Sequence, residues 1–314
     1  MRRILLVVVA VSLVLSGCTD GGDGGGDGGE PGKGGRPAKV DGVPTDAGTH
    51  KQKLKVDAFG HREYLLHVPP KVADGEWEDG RPADPPPLVL ALHGGLADMN
   101  KAEERTGFSG LSDEEGFLVA YPNGFMTTWN AGDCCGAAKV GDLDDVQFLS
   151  ELITKLTEAG LADPDRVYVT GFSNGAGMAY RFACQKPDMV AAIGAVEGAL
   201  VTECDPAKPV SAMIVHGTAD GNVPFKGGGD RDFNDKRPFP PVSEAVDFWR
   251  KRAGLPELRE DAGGLGDNGK CESTGKGSGG VSVAFCTIAG GTHEWPSGAS
   301  ERLWEFFADH PRAG

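Results

Sequence analysis

Six short, largely apolar runs constrain this chain more than any other feature. They are Leu88–Leu92, Phe117–Tyr121, Arg166–Phe172, Ala191–Val196, Val210–Val215 and Val281–Phe285. Each has the length of a buried strand and is too short for an independent helix. Helices are expected near 174–186, 242–253 and 299–309. A further one is expected between Asp144 and Gly160, where apolar residues at 149, 152, 153 and 156 keep helical spacing. Strands apolar on both faces and alternating with helices imply the α/β class: a mostly parallel central sheet with helices on both faces. Ahead of them, Leu54–Val68 reads as a hairpin turning near Gly60.

In such sheets reactive groups collect beyond the carboxyl ends of the strands. The third run flows into Gly171-Phe172-Ser173-Asn174-Gly175, a G-x-S-x-G set between a strand and a helix. A sharp turn there lifts the serine hydroxyl above the sheet edge, and the small residues on either side avoid clashes. A serine hydroxyl is a poor nucleophile without a base. Seven histidines are available. His50, His61 and His67 precede the core strands, His93 and His216 stand before glycines at strand ends as packing residues, and His310 lies near the carboxyl terminus. His293, in the loop after the last strand, is the expected base. Asp220, just beyond the run ending at Val215, is the expected acid that orients it, with Asp205 and Asp230 in reserve. The chain order Ser173, Asp220, His293 is that of an α/β-hydrolase.

Two amides are needed for the developing oxyanion: that of Asn174, directly after the nucleophile, and one from His93-Gly94-Gly95-Leu96, at Gly95 or Leu96. Trp129 and Trp295 are candidate substrate-binding residues. Asp142, Asp144 and Asp145 read as helix-capping rather than metal-binding, and neither metal nor cofactor is implied.

The amino terminus carries a different message. Met1-Arg2-Arg3 precedes an apolar stretch from Ile4 to Leu15 that is shorter than the ~20 residues of a spanning helix, which marks residues 1–17 as an export signal. Leu15-Ser16-Gly17-Cys18 resembles the lipobox of bacterial lipoproteins, which implies a lipid on Cys18 and an extracytoplasmic protein held at the membrane. Ten glycines in the fifteen positions 21–35 can bury nothing, so 18–48 is expected to be a tether and 49–314 a single catalytic domain. Six cysteines remain, an even number that in an exported protein suggests three disulfides. Cys271 with Cys286 and Cys184 with Cys204 are natural pairs, which leaves the neighbours Cys134 and Cys135. With 46 acidic against 31 basic side chains, the chain is not expected to bind nucleic acid.

Taken together, Ala91-Leu92-His93-Gly94-Gly95, Trp129-Asn130-Ala131-Gly132-Asp133-Cys134-Cys135-Gly136, Asp144 to Leu149, Gly171 to Gly177, His216 to Asp220 and His293 to Pro296 resemble the polyhydroxybutyrate depolymerase and feruloyl/acetylxylan esterase group, carbohydrate esterase family one. The resemblance runs from about Val56 to Phe307. It implies an α/β-hydrolase fold, a triad at Ser173, Asp220 and His293, and an oxyanion loop at His93 to Leu96. Gly291-Thr292-His293 departs mildly from the family's Gly-Gly-His. Only Glu197 to Pro209 separate the fourth run from the fifth, where lipases of this fold commonly insert a lid. An open site with no large lid is therefore expected, suited to a bulky or polymeric ester. A lipid-anchored solute-binding protein and a peptidase on the same fold are the competing readings.

Overall fold

The computed structural model describes residues 35–56, 60–232 and 235–312. The expected leader over 1–17, Cys18 and the glycine-rich stretch up to residue 34 lie outside the described residues. The rest of the expected tether is not a linker. Strands β1 (Lys39–Val40) and β2 (Val43–Pro44) form an antiparallel hairpin with Val43 fully buried, so regular structure begins before residue 49.

Strands β3 (Gly48–Lys55) and β4 (His61–Val68) make the expected hairpin, with the Val56 amide donating to the Gly60 carbonyl at 2.8 Å. Helix α1 (Pro70–Ala73) and a second small hairpin, β5 (Trp77–Glu78) with β6 (Arg81–Pro82), follow. The chain then runs through β7 (Leu88–Leu92), α2 (Met99–Thr106), α3 (Phe108–Glu115), β8 (Leu118–Pro122), α4 (Gly136–Val140), α5 (Asp145–Glu158), β9 (Val167–Phe172) and α6 (Asn174–Gln185). It ends with β10 (Ala192–Val196), β11 (Ser211–Gly217), α7 (Val242–Arg252), β12 (Glu260–Leu265), β13 (Gly269–Ser273), β14 (Val283–Ile288) and α8 (Ala299–Ala308).

Ten strands form one sheet in the order β12-β13-β14-β11-β10-β9-β7-β8-β4-β3. The six central strands, β14 through β8, are parallel, and two antiparallel strands extend each edge. Every residue of β7 to β11 is buried, which is why these strands read as unbroken apolar runs. Helices α5, α6 and α7 cover one face, and α2, α3 and α8 the other.

From β7 the chain crosses to β8 on one side and then to β9 on the other. That reversal opens a crevice beyond the carboxyl ends of β7 and β9. His93 follows the first strand and Ser173 the second, so both motif segments face the crevice.

Among the described residues three disulfides are present: Cys134–Cys135, Cys184–Cys204 and Cys271–Cys286. Cys271 and Cys286 are direct partners across β13 and β14. The connection from β10 to β11 carries no helix, so no lid is inserted there. Among the described residues, no helix is long and apolar enough to cross a membrane.

Candidate active site

Ser173 sits between β9 and α6 with φ 55° and ψ −117°, a positive φ that costs a non-glycine residue on the order of 1–3 kcal/mol. Its neighbours make the turn possible. A Cβ on Gly171 would lie 2.4 Å from the Gly175 carbonyl carbon, and one on Gly175 would lie 2.5 Å from the His93 carbonyl oxygen. The Ser173 amide donates to Val196 O at 2.9 Å, tying the turn to the end of β10.

The loops after β11 and β14 meet just as closely. A Cβ on Gly217 would lie 2.3 Å from Gly291 O, and the Ala219 amide donates to that same oxygen at 2.9 Å. This crossing brings Asp220 and His293 together. His293 Nδ1 lies 2.7 Å from Asp220 Oδ2, and its Nε2 lies 2.9 Å from Ser173 Oγ. An ionised carboxylate only accepts, so Nδ1 carries the proton and Nε2 is free to accept from the serine hydroxyl. The ring packs on Phe172, with centroids 4.8 Å apart, which fixes its tilt.

Asp220 Oδ1 accepts from the amides of Asn222 (2.7 Å) and Val223 (2.9 Å). Burial pushes the Asp220 pKa up, but hydrogen bonds from His216, His293, Glu197 and Val223 outweigh it and hold the carboxyl well below the usual range. It is therefore ionised at neutral pH, as the imidazolium formed during catalysis requires. The reserve acids are occupied elsewhere: Asp205 pairs with Arg252 at 2.6 Å and Asp230 with Lys236 at 2.8 Å.

Of the oxyanion donors expected from sequence, one must be corrected. The Leu96 amide donates to Thr127 O at 2.9 Å and is spent on holding its own loop. Asn174 opens α6, so its amide has no carbonyl one turn back to donate to. The Gly95 amide makes no protein hydrogen bond among the described residues, and a Cβ there would lie 3.8 Å from Asn174 Cβ. Gly95 and Asn174 thus remain the candidate pair.

His93 locks this loop. It is buried, its Nδ1–H donates to Gly94 O at 2.7 Å, and its Nε2 accepts from the Gly124 amide at 2.8 Å. Burial, only partly offset by the Gly94 bond, pushes its pKa down to about 4, so it is neutral.

The reading of Trp129 is corrected as well, whereas Trp295 stays half-exposed. Trp129 is fully buried, and its indole N–H donates to His93 O at 3.0 Å. The Asn174 side chain clamps the Trp129 backbone, accepting from its amide at 2.7 Å and donating to its carbonyl at 2.9 Å. Trp129 supports the oxyanion loop from below rather than lining a groove. Trp295 donates to Ser300 Oγ at 3.1 Å and packs edge-on against Phe108, part of the core under α2, α3 and α8.

In the acidic cluster, Asp144 caps α5 by accepting from the Gln147 amide at 2.9 Å. The buried Asp145 pairs with Arg62 at 2.9 Å and accepts from the Asn130 amide at 2.7 Å. Asp142 accepts from the Asn130 side chain at 3.3 Å.

Beside Ser173 lies a cavity of about 180 Å³, walled by Ala131, the Cys134–Cys135 pair, Ala199, Val201, Val223 and Phe239. Its cover comes from residues 131–135, from 222–231 and from Phe239, all in loops that the strand and helix periodicity leaves blank. A larger cleft of about 640 Å³ lies at the opposite, amino-terminal end of β7 and β9, against Pro87, Arg166 and Tyr168, away from this chemistry.

Residues 66–225 match the family model described as Esterase PHB depolymerase. The chain is 31% identical over 270 residues to a protein of Nocardia uniformis subsp. tsuyamanensis named as an esterase, NocK, covering 81% of this chain and 76% of that protein. It is 32% identical over 235 residues to feruloyl esterase B of Piromyces equi, covering 70% of this chain but only 41% of that longer protein. Among solved structures, an acetyl xylan esterase from Aspergillus awamori shares the fold, with a TM-score of 0.58 at 17% identity over 83% of this chain and 99% of that one.

Proposed function

Since the chain belongs to the Esterase PHB depolymerase family and is a carboxylic-ester hydrolase, we propose that Ser173, His293 and Asp220 carry its hydrolysis through an acyl-enzyme. The observation that supports this most directly is the unbroken line of hydrogen bonds from Ser173 Oγ through the imidazole to Asp220. Ser173 Oγ attacks the ester carbonyl carbon while its proton passes to His293 Nε2. The oxyanion lies between the amides of Gly95 and Asn174, each worth about 2.7–4 kcal/mol of barrier in comparable sites. Collapse expels the alcohol, which takes the proton from His293. Water then repeats the sequence on the acyl-enzyme and releases the acid.

The substrate is a bulky or polymeric ester of the polyhydroxyalkanoate, feruloyl or acetylxylan type. Relatives named for feruloyl and acetylxylan esters support this, as does the missing lid between β10 and β11. At ~30 Å³ per water the cavity holds on the order of six waters, so it admits one short or single-ring group while the rest of the ester stays outside. Three disulfides, the residues 1–17 leader and Cys18 support a place outside the cytoplasm, with the catalytic domain tethered by lipid. Membership of an ester-hydrolase family favours esters over peptides and leaves a solute-binding role without support.

A fluorophosphonate probe followed by peptide mapping, combined with a panel of feruloyl, acetylxylan, hydroxybutyrate-oligomer and short p-nitrophenyl esters, tests both halves. The expected result is modification at Ser173 and the highest kcat/KM on one of the bulky esters. Modification elsewhere would remove the nucleophile, and a clear preference for small free esters would remove the substrate class.

A further inference from the structure

A second carboxyl group stands behind Asp220. Glu197 directly follows β10 at φ 51° and is fully buried. Its amide donates to Val215 O at 2.9 Å, and its Oε1 accepts from the Gly217 amide at 2.8 Å. Its buried Oε2 has no hydrogen-bond partner among the described residues and lies 3.4 Å from His216 Nε2, which is itself 3.3 Å from Asp220 Oδ2. One polar atom from each of Glu197, Asp220 and His293 lies within 4.8 Å of the others.

Two buried carboxyl groups with oxygens within 4.8 Å of each other resist being ionised together, so one of them keeps its proton. The surrounding donors decide where it resides. Asp220 accepts from His293 Nδ1, Asn222 N and Val223 N, and His216 Nε2 approaches it to 3.3 Å while donating to Val223 O at 2.8 Å. Glu197 has one amide, that of Gly217, and stands 3.4 Å from the same His216 Nε2, which favours neither acid. The charge is therefore stabilised on Asp220 and the proton belongs to Glu197. Burial, then the neighbouring Asp220 carboxylate and its charge, push the Glu197 pKa up to about 9.

We propose that Glu197 is a positioning residue of this hydrolase: as a protonated acid it donates through Oε2 to the Asp220 carboxylate and holds it in the orientation that presents Oδ2 to His293. The inference rests on the triad reading above. It gives a physical reason for a buried acid, in a backbone conformation unusual for glutamate, at the end of β10. Without the Glu197 proton, Asp220 would turn about its side-chain bonds or share His293 with a second negative charge. The ionisable groups facing Glu197 are Asp220 and His216, on β11 and the loop beyond it, and His293, on the loop after β14.

The test measures kcat, KM and pH profiles of the full chain and of Glu197→Gln and Glu197→Leu, with Ser173→Ala alongside. Glutamine can donate to Asp220 and accept from Gly217, so kcat should stay within about threefold of wild type. Leucine can do neither, and kcat should fall about 10- to 100-fold with KM little changed, the effect of a misplaced base rather than lost binding. Wild type should show an activity step near pH 9, where a second negative charge appears beside Asp220, and Glu197→Gln should lack it. Full activity in Glu197→Leu, a Glu197→Gln enzyme as impaired as Glu197→Leu, or an alkaline step that persists in Glu197→Gln would each overturn the inference. If Glu197→Leu does not fold, the Glu197→Gln profile decides alone. Ester turnover surviving in Ser173→Ala would instead overturn the triad beneath it, whatever the Glu197 variants do.

Discussion

Among the described residues stand two serine–histidine pairs, and the shorter contact is not the one proposed to react. Ser282 Oγ lies 2.7 Å from His310 Nε2, whereas Ser173 Oγ lies 2.9 Å from His293 Nε2. In both, Nδ1 carries the proton and Nε2 faces the hydroxyl. What lies behind the ring separates them. His293 donates to Asp220, and His310 donates to the backbone oxygen of Phe306 at 2.6 Å. A carbonyl can hold a tautomer but offers no charge to stabilise an imidazolium. The serines differ as well. Ser173 stands on a strained turn beside two free amides, while Ser282 is buried just ahead of β14, its carbonyl accepting from the Ala212 amide at 3.1 Å. A hydroxyl–imidazole contact is therefore common hydrogen bonding. On the proposed reading, reactivity comes from the carboxylate behind the ring, the amides in front of it and access for an ester.

Removing each hydroxyl in turn tests this contrast most severely. Ser173→Ala should lower p-nitrophenyl ester turnover more than ~10³-fold with an unchanged circular dichroism spectrum. Ser282→Ala should leave turnover at the wild-type value. A comparable loss in Ser282→Ala would erase the distinction between the pairs. Asp220→Asn comes next, with an expected loss of about 10²-fold, because an amide can donate to Nδ1 and favour the wrong tautomer. If Asp220→Asn kept near-normal turnover, a charge behind the ring would not be what distinguishes His293 from His310.

The pattern of sequence legibility follows the same division. Strands β7 to β11 and helices α5 to α8 were readable because they bury one or both faces against a large core, which forces apolar periodicity onto the chain. Ser173, Asp220 and His293 were readable because strand-end loops in such sheets converge, so chain order stood in for geometry. Helices α2 and α3 were not, since MNKAEERT and FSGLSDEE are mostly polar and each buries only two or three residues. Strand β12, EDAGGL, has too little apolar alternation to mark an edge strand. Glu197 was invisible because an acid after a strand reads as a solvated turn, and only burial reveals it as a partner of Asp220. The same blindness placed Trp129 in a substrate groove: aromatic character is legible in sequence, but the side of the loop it packs on is not.

The smallest expected effect is a matter of stability. Burial, only partly offset by the Phe306 bond, lowers the His310 pKa, so the folded protein keeps this ring neutral where the unfolded chain, with an ordinary value near 6.5, begins to take up a proton. The unfolded state then binds more protons, and stability present above pH ~6.5 is lost as the pH falls toward the folded value. His93, pushed down to about 4, adds to the same acid slope. The Ser282 hydroxyl donates to the neutral ring, so Ser282→Ala should cost about 1 kcal/mol at pH 7.5 in urea titrations. The cost should shrink at pH 5.5, because a ring without that donor protonates more readily and the variant's own acid slope is shallower. A cost that stayed constant with pH would mean that the hydroxyl serves packing alone and that His310 titrates independently of it. The second pair would then resemble the first in distance and tautomer alone, without a hydroxyl that donates to the ring.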